Sequence, residues 1–167
     1  MTTKTVSNPK RQIPYRVGDL AGLDELTEQS LALFLCSDVR PLRGVAGFID
    51  WRLCGALSHT LESGDFTGEA GEIMLLPIAG RLGPRVAFVF GLGAIREKSA
   101  SDRRDDLTTA LTTITQVAKR AGVKKLSLVA PALPEDPEFE QDFLDLVQHV
   151  CASSNLVESV LVQSESL

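Results

Sequence analysis

Five short runs, residues 31–35, 73–78, 86–90, 126–130 and 157–162, are rich in apolar residues, and most are apolar on both faces and not at every second position. A strand with one wet face alternates, so strands of this kind have to be covered on both faces. Longer amphipathic segments stand between them, and the pattern predicts central, mostly parallel strands with helices above and below. An earlier and more polar segment, 13–17, suits an edge. Residues 73–78 and 86–90 are joined only by Ala79-Gly-Arg-Leu-Gly-Pro84, which is too short for a crossover and demands an antiparallel hairpin. The fold class is therefore α/β: a mixed, mostly parallel sheet sandwiched by helices, in the order β, β, α, β, β, α, β, α, β.

Three helices fit the gaps. Over 102–121, Leu107, Ala110, Leu111, Ile114, Val117, Ala118 and Ala121 recur at three- and four-residue steps and form one buried stripe. Ser99 or Ser101 can cap its start, Lys119 and Arg120 complement the dipole at its end, and Gly122 stops it. A second helix starts at Asp136-Pro137, a cap followed by proline at the first helical position, and buries Phe139, Phe143, Leu146, Val147 and Val150. The earliest helix, about 44–61, repeats Val45, Ile49, Leu53, Leu57 and Leu61 every fourth residue. Arg52 falls inside its apolar face and needs a partner there. Trp51 points away from that face, which makes it a candidate interface residue against another layer or another chain.

At 167 residues and 44% hydrophobic content, one domain over 13–167 is expected, preceded by a flexible polar tail at 1–12. The tail has no apolar stretch able to serve as a signal-peptide core or membrane span, so a cytoplasmic chain without a membrane partner is expected. A net charge of -5 and an aromatic content of 5% disfavour nucleic acid, which rewards basic surfaces and stacking platforms. Cys36, Cys54 and Cys151 are odd in number, far apart and set among apolar residues, and read as buried reduced thiols.

The succession Gly18-Asp-Leu, then Gly64-Asp-Phe-Thr-Gly-Glu-Ala-Gly-Glu72 before a strand, then Arg85-Val-Ala-Phe-Val-Phe-Gly-Leu-Gly93, resembles the N-terminal domain of the M17 leucine aminopeptidases. The resemblance runs from about residue 13 to the end and implies a macrodomain-like fold. It stops where that family's chemistry starts. There, a C-terminal domain binds two metal ions through aspartates, a glutamate and a lysine around an Asn-Thr-Asp-Ala-Glu-Gly-Arg run. Here the only asparagines, Asn8 and Asn155, begin no such run, so no catalytic residue, metal ligand or cofactor is carried over. The chain is either a stand-alone relative or a fragment, and its ending at Ser164-Glu-Ser-Leu167 reads as that of the former.

Candidate sites are few. His59 and His149 have no Cys or His at metal-ligand spacing, and no Gly-x-Ser-x-Gly elbow occurs. Asp65, Glu69 and Glu72 sit in a glycine-rich connector, where carboxylates are usually solvated. Gly91-Leu-Gly93 follows a strand but lacks the third glycine of a dinucleotide fingerprint and reads first as a tight turn. Asp38, Arg40 and Arg43 follow the 31–35 strand and precede a helix, where open α/β sheets collect ligands and helix N-termini favour anions. A salt-bridged loop is the alternative. With Gly91 and Gly93 these three residues form the candidate anion crevice.

Three functions follow: a non-catalytic binding, regulatory or assembly module, partnered by itself or by a peptidase-related chain; a macrodomain-like binder of a small phosphate-bearing ligand; or a component of an aminopeptidase whose catalytic domain lies outside this chain.

Overall fold

The computed structural model describes residues 11–78 and 80–163, so most of the expected tail lies outside the described residues. The elements are β1 (Tyr15–Val17), α1 (Leu20–Asp24), β2 (Ser30–Cys36), α2 (Gly44–Arg52), α3 (Ala56–Ser63), β3 (Ile73–Pro77), β4 (Val86–Gly93), α4 (Ala100–Arg120), β5 (Leu126–Val129), α5 (Glu138–Val150) and β6 (Val157–Val162). They build one six-stranded sheet in the order β1-β6-β5-β2-β4-β3. All neighbours are parallel except β3 and β4, which form the antiparallel hairpin that their short connector requires.

The central strands β2, β5 and β6 are almost wholly buried, because helices cover both faces. On one face α4 and α5 pack Leu107, Leu111, Ile114, Phe139 and Phe143 onto Phe34, Phe90, Leu128 and Val160. Phe143 is fully buried and meets Phe34 edge to face, 5.1 Å between centroids. Each such side chain contributes about 1.5–3 kcal/mol through burial. On the other face α1, α2 and α3 bring Leu23, Val45, Ile49 and Leu57 against Leu31, Leu33, Val89 and Leu161. One polar ladder crosses this sheet: Ser127 of β5 and Ser159 of β6, in register and buried, are 2.7 Å apart at their hydroxyls, and Ser127 also hydrogen-bonds Gln29.

The helix ends follow local chemistry with one exchange. Ser99 caps α4 by accepting from the Asp102 amide. Asp136 does not cap α5 with its side chain; its carboxylate is drawn to Arg103 across the loops, while Pro137 takes helical dihedrals as expected.

The expected single helix over 44–61 is two helices. The four-residue apolar repeat runs through the break, but Cys54 (φ 58) and Gly55 (φ 79) both adopt the left-handed conformation that ends α2 and turns the chain into α3. Buried Asp50 stabilises the restart by accepting from the Leu57 and Ser58 amides (2.8 and 3.1 Å) and the Ser58 hydroxyl. The break also puts Cys54 at the surface, whereas Cys36 and Cys151 are buried. Arg52, in the last turn of α2, keeps its Nε buried with no hydrogen-bond partner. A second departure is β3, which alternates between exposed and half-buried residues, because nothing covers the α4-side face of this edge strand among the described residues.

Candidate functional site

The five parallel strands end on one side of the sheet, where ligand sites of open α/β folds form. Three loops meet there, those after β2, β4 and β5. Asp38 accepts at Oδ2 from the Ile95 and Arg96 amides (2.9 and 2.8 Å), and Arg96 returns a bond from Nη1 to the Asp38 carbonyl (2.8 Å). Arg96 also pairs with Glu135 at 2.6 Å. Arg103, whose side chain is 14% exposed, donates to the Ile95 and Arg96 carbonyls and pairs with Asp136 at 2.5 Å. These bonds lock the three loops together.

Arg40 is committed in a similar way. Its Nη1 donates to the Cys36 and Val39 carbonyls, both at 2.7 Å, and its Nη2 reaches the Thr67 carbonyl at 3.4 Å. The guanidinium therefore ties the loop after β2 to the glycine-rich connector. That connector is organised by Glu72, whose Oε2 accepts from the Thr67 amide and hydroxyl and from the Gly68 and Glu69 amides at 2.8–3.2 Å. Slight desolvation would raise its pKa, but the bonds from Thr67, Gly68 and Glu69 outweigh it and hold the carboxyl below its ordinary value. Glu72 is thus a structural acceptor, a role its sequence setting did not disclose.

Gly91 and Gly93 belong to the same junction. Gly91 exchanges bonds with Gly71 and Glu72 (3.0 and 2.9 Å), and a Cβ on it would stand 2.0 Å from the Glu69 carbonyl oxygen. Gly93, at φ 76, donates to the Gly68 carbonyl and accepts from Ser37. Both glycines let the connector cross directly over the end of β4.

Arg43 stands apart. It is exposed at the N-cap of α2, makes no side-chain cap bond, and lines a cleft of about 600 Å³ with Gly44, Ala132, Pro134, Asp136 and Gln163. A second, shallower crevice of about 270 Å³, bordered by Val17, Asp19, Val45, Phe48 and Val162, shares Gly44 and Gln163 with it. The two meet at the start of α2, and Trp51 is next to them, its ring 5.7 Å from that of Phe48 and its side chain open to solvent. Of the five residues expected to form a crevice, only Arg43 lines this cleft. Asp38 and Arg40 hold loops, and Gly91 borders a different recess beside Thr109 and Thr113 of α4. Gln163, Gly44 and Phe48 gave little sequence signal; their only mark is position, one at the end of an apolar run and two at the start of a helix.

The Cys36 thiol is pushed up to about 12 by burial and then by Asp38, so it stays protonated. Both histidines are exposed. Among the described residues no three His, Cys, Asp or Glu side chains are placed to hold a metal ion.

A mixed, mostly parallel sheet between helices, with a cleft at its C-terminal side, defines a macrodomain-like α/β domain. A macrodomain of Oceanobacillus iheyensis solved with ADP superposes with a TM-score of 0.63 at 16% identity, covering 91% of this chain and 83% of that one. A tomato leucine aminopeptidase variant superposes with a TM-score of 0.59 at 15% identity, over 96% of this chain and 34% of that one. At such identities these matches show the fold alone. The sequence profile of the cytosol aminopeptidase family, N-terminal domain, matches residues 33–150, and the chain belongs to that family. It is 29% identical over 127 residues to a probable cytosol aminopeptidase of Halorhodospira halophila, a match covering 76% of this chain and 23% of that relative. No helix among the described residues is long and apolar enough to cross a membrane.

Proposed function

We infer that this domain acts as a non-catalytic binding and assembly module of the aminopeptidase family. The observation that carries the reading is the commitment of five charged side chains at the ligand side of the sheet: Asp38, through its Oδ2, and Arg40, Arg96, Arg103 and Asp136 hold loops together. A site spent on its own scaffold supplies shape and surface, while a general acid or base has to be free to exchange a proton with a substrate. Exposed Trp51 supports a contact surface, since tryptophan is enriched among interface anchors. The partners proposed are another copy of the chain or a peptidase-related chain, and the setting proposed is the cytoplasm.

The test has two arms. Purified chain with added manganese or zinc is expected to leave leucyl amides intact; activity lost on changing one or two of its acidic residues would overturn the non-catalytic reading. Affinity capture from native extract, read by mass spectrometry, is expected to recover a peptidase or the chain itself.

A second reading, a binder of a phosphate-bearing small molecule, is favoured by exposed Arg43 at the N-terminus of α2, beside a cleft large enough for a nucleotide-sized ligand. The ADP in the Oceanobacillus macrodomain is support by fold analogy. The third reading, part of an aminopeptidase completed by a separate catalytic domain, predicts activity restored on mixing with such a domain.

A further inference from the structure

We propose that the two crevices meeting at the start of α2 form one site for a short peptide with a free amino end and an apolar first residue, held without cleavage. The proposal rests on the binding-module reading above and names its ligand. It starts at the loop between β1 and α1. There Asp19 caps α1 with one carboxylate oxygen, Oδ1 accepting from the Gly22 amide at 2.8 Å. Asp19 is exposed and forms no ion pair among the described residues, and Arg16, three positions earlier, is paired with Glu25 at 3.6 Å. A carboxylate with one oxygen on a backbone amide keeps acceptor capacity for an ammonium, which makes the stronger, charge-assisted bond. The space it borders is otherwise apolar: Val17, Val45, Phe48 and Val162 line the crevice of about 270 Å³. An acid beside an apolar hollow suits an amino group attached close to an apolar side chain, as at the first residue of a peptide.

The other end of the site lies across Gly44 and Gln163, which border both crevices. Gly44 leaves the junction open, since a Cβ on it would stand 2.7 Å from Nε2 of Gln163 and 2.8 Å from Cβ of Ala132. The Gln163 amide offers both a donor and an acceptor, the pair that a peptide group in the ligand requires. Beyond the junction the larger cleft holds Arg43, exposed and without an ion pair among the described residues. Its guanidinium matches a carboxylate in a bidentate fork. Acid, apolar wall, amide and guanidinium thus follow one another in the order of a peptide's amino end, first side chain, peptide bond and carboxyl end.

The charge around the joined cleft favours such a ligand over a phosphate ester. Carboxylates at Asp19, Glu140 and Asp136 border it, the last paired with Arg103, and Arg43 is the basic side chain among the bordering residues. The whole chain carries a net charge of -5. A peptide brings an ammonium together with its carboxylate and is neutral overall, whereas a doubly charged phosphate has to approach against that field.

The experiment is calorimetric titration of the full chain with the tripeptide leucyl-glycyl-glycine. Its N-acetyl form, its C-terminal amide and triglycine are each expected to bind about tenfold more weakly, since each lacks one of the three matched groups. Asp19→Asn keeps an oxygen for the α1 cap and removes the charge; in this variant the free and acetylated peptides are expected to bind alike. In Arg43→Ala the acid and the amide are expected to bind alike. Each variant erases one preference and keeps the other, which a general loss of folding does not do. No binding of the tripeptide at about 10 mM overturns the proposal, as does an acetylated peptide that binds the parent as well as the free one. Binding of AMP or inorganic phosphate with no binding of the tripeptide also overturns it and leaves the anion reading standing. Mass spectrometry after titration is expected to find the tripeptide intact; its cleavage would overturn the non-catalytic reading as well. Capture of a peptidase from extract by a chain that binds no peptide would leave the assembly reading standing while the peptide site falls.

Discussion

Gly91→Ala tests whether the Gly91-Leu-Gly93 turn is built for backbone packing. A new Cβ would stand 2.0 Å from the Glu69 carbonyl oxygen and 2.8 Å from the Gly68 carbonyl carbon. Ordinary carbon-to-oxygen contact begins at about 3.3 Å, so connector and strand must part by more than about 1 Å. That opening strains the Gly71-to-Gly91 and Gly91-to-Glu72 bonds, now 3.0 and 2.9 Å. Each is worth about 0.5–1.5 kcal/mol, and a buried peptide group left without a partner costs about 1–3 kcal/mol more. Against this, alanine restricts the unfolded chain and returns about 0.4–1 kcal/mol. The balance is a loss of about 2–4 kcal/mol, or about 10 °C in melting temperature for a chain of this length. Urea unfolding gives the free energy, and hydrogen exchange at Gly71 reports whether the loss is local. A variant within about 0.5 kcal/mol of the parent would refute the packing argument and return Gly91 to consideration as a ligand contact.

Arg40→Ala is expected to lower the melting temperature without any ligand, since it frees three carbonyls, while Arg43→Ala leaves it within about 2 °C. If phosphate or ADP-ribose stabilises the chain at low ionic strength, Arg43→Ala is expected to remove the effect; its persistence would detach the cleft from anion binding. The lowered pKa of Glu72 means that its contribution is complete above the ordinary carboxylate value of about 4.3 and fades as pH falls through the folded-state value. Glu72→Gln is therefore expected to be less stable than the parent at pH 7 and to converge with it in acid, and a pH-independent gap measured by chemical unfolding would contradict this. Native chain is expected to react with a thiol reagent at Cys54 alone; Cys36 and Cys151 are buried, with pKa values pushed up to about 12 and about 11, and label only on unfolding. Labelling of Cys36 in the folded chain, read by peptide mass spectrometry, would refute its burial.

The sequence alone determined the layers. Continuous apolar runs such as 31–35 must be covered on both faces, the stripe from Leu107 to Ala118 must face the sheet, and a six-residue link allows only a hairpin between β3 and β4. These are local rules of period and chain length, and they hold before any distant contact forms. The break at Cys54 and Gly55 was legible only in its glycine, because an apolar repeat of four continues through two helices that pack on the same face. What residues 38, 40 and 43 do was not legible at all. Three charged side chains within six positions look alike in sequence, yet Asp38 is claimed by amides 57 and 58 residues away, Arg40 by carbonyls of its own loop and the connector, and Arg43 faces the cleft. The partner of a charge is set by which loops the strand order brings to one end of the sheet. The exposure of Ile73 and Leu75 has the same origin: an apolar run fixes that a strand forms, and only its place at the edge decides which of its faces is left uncovered.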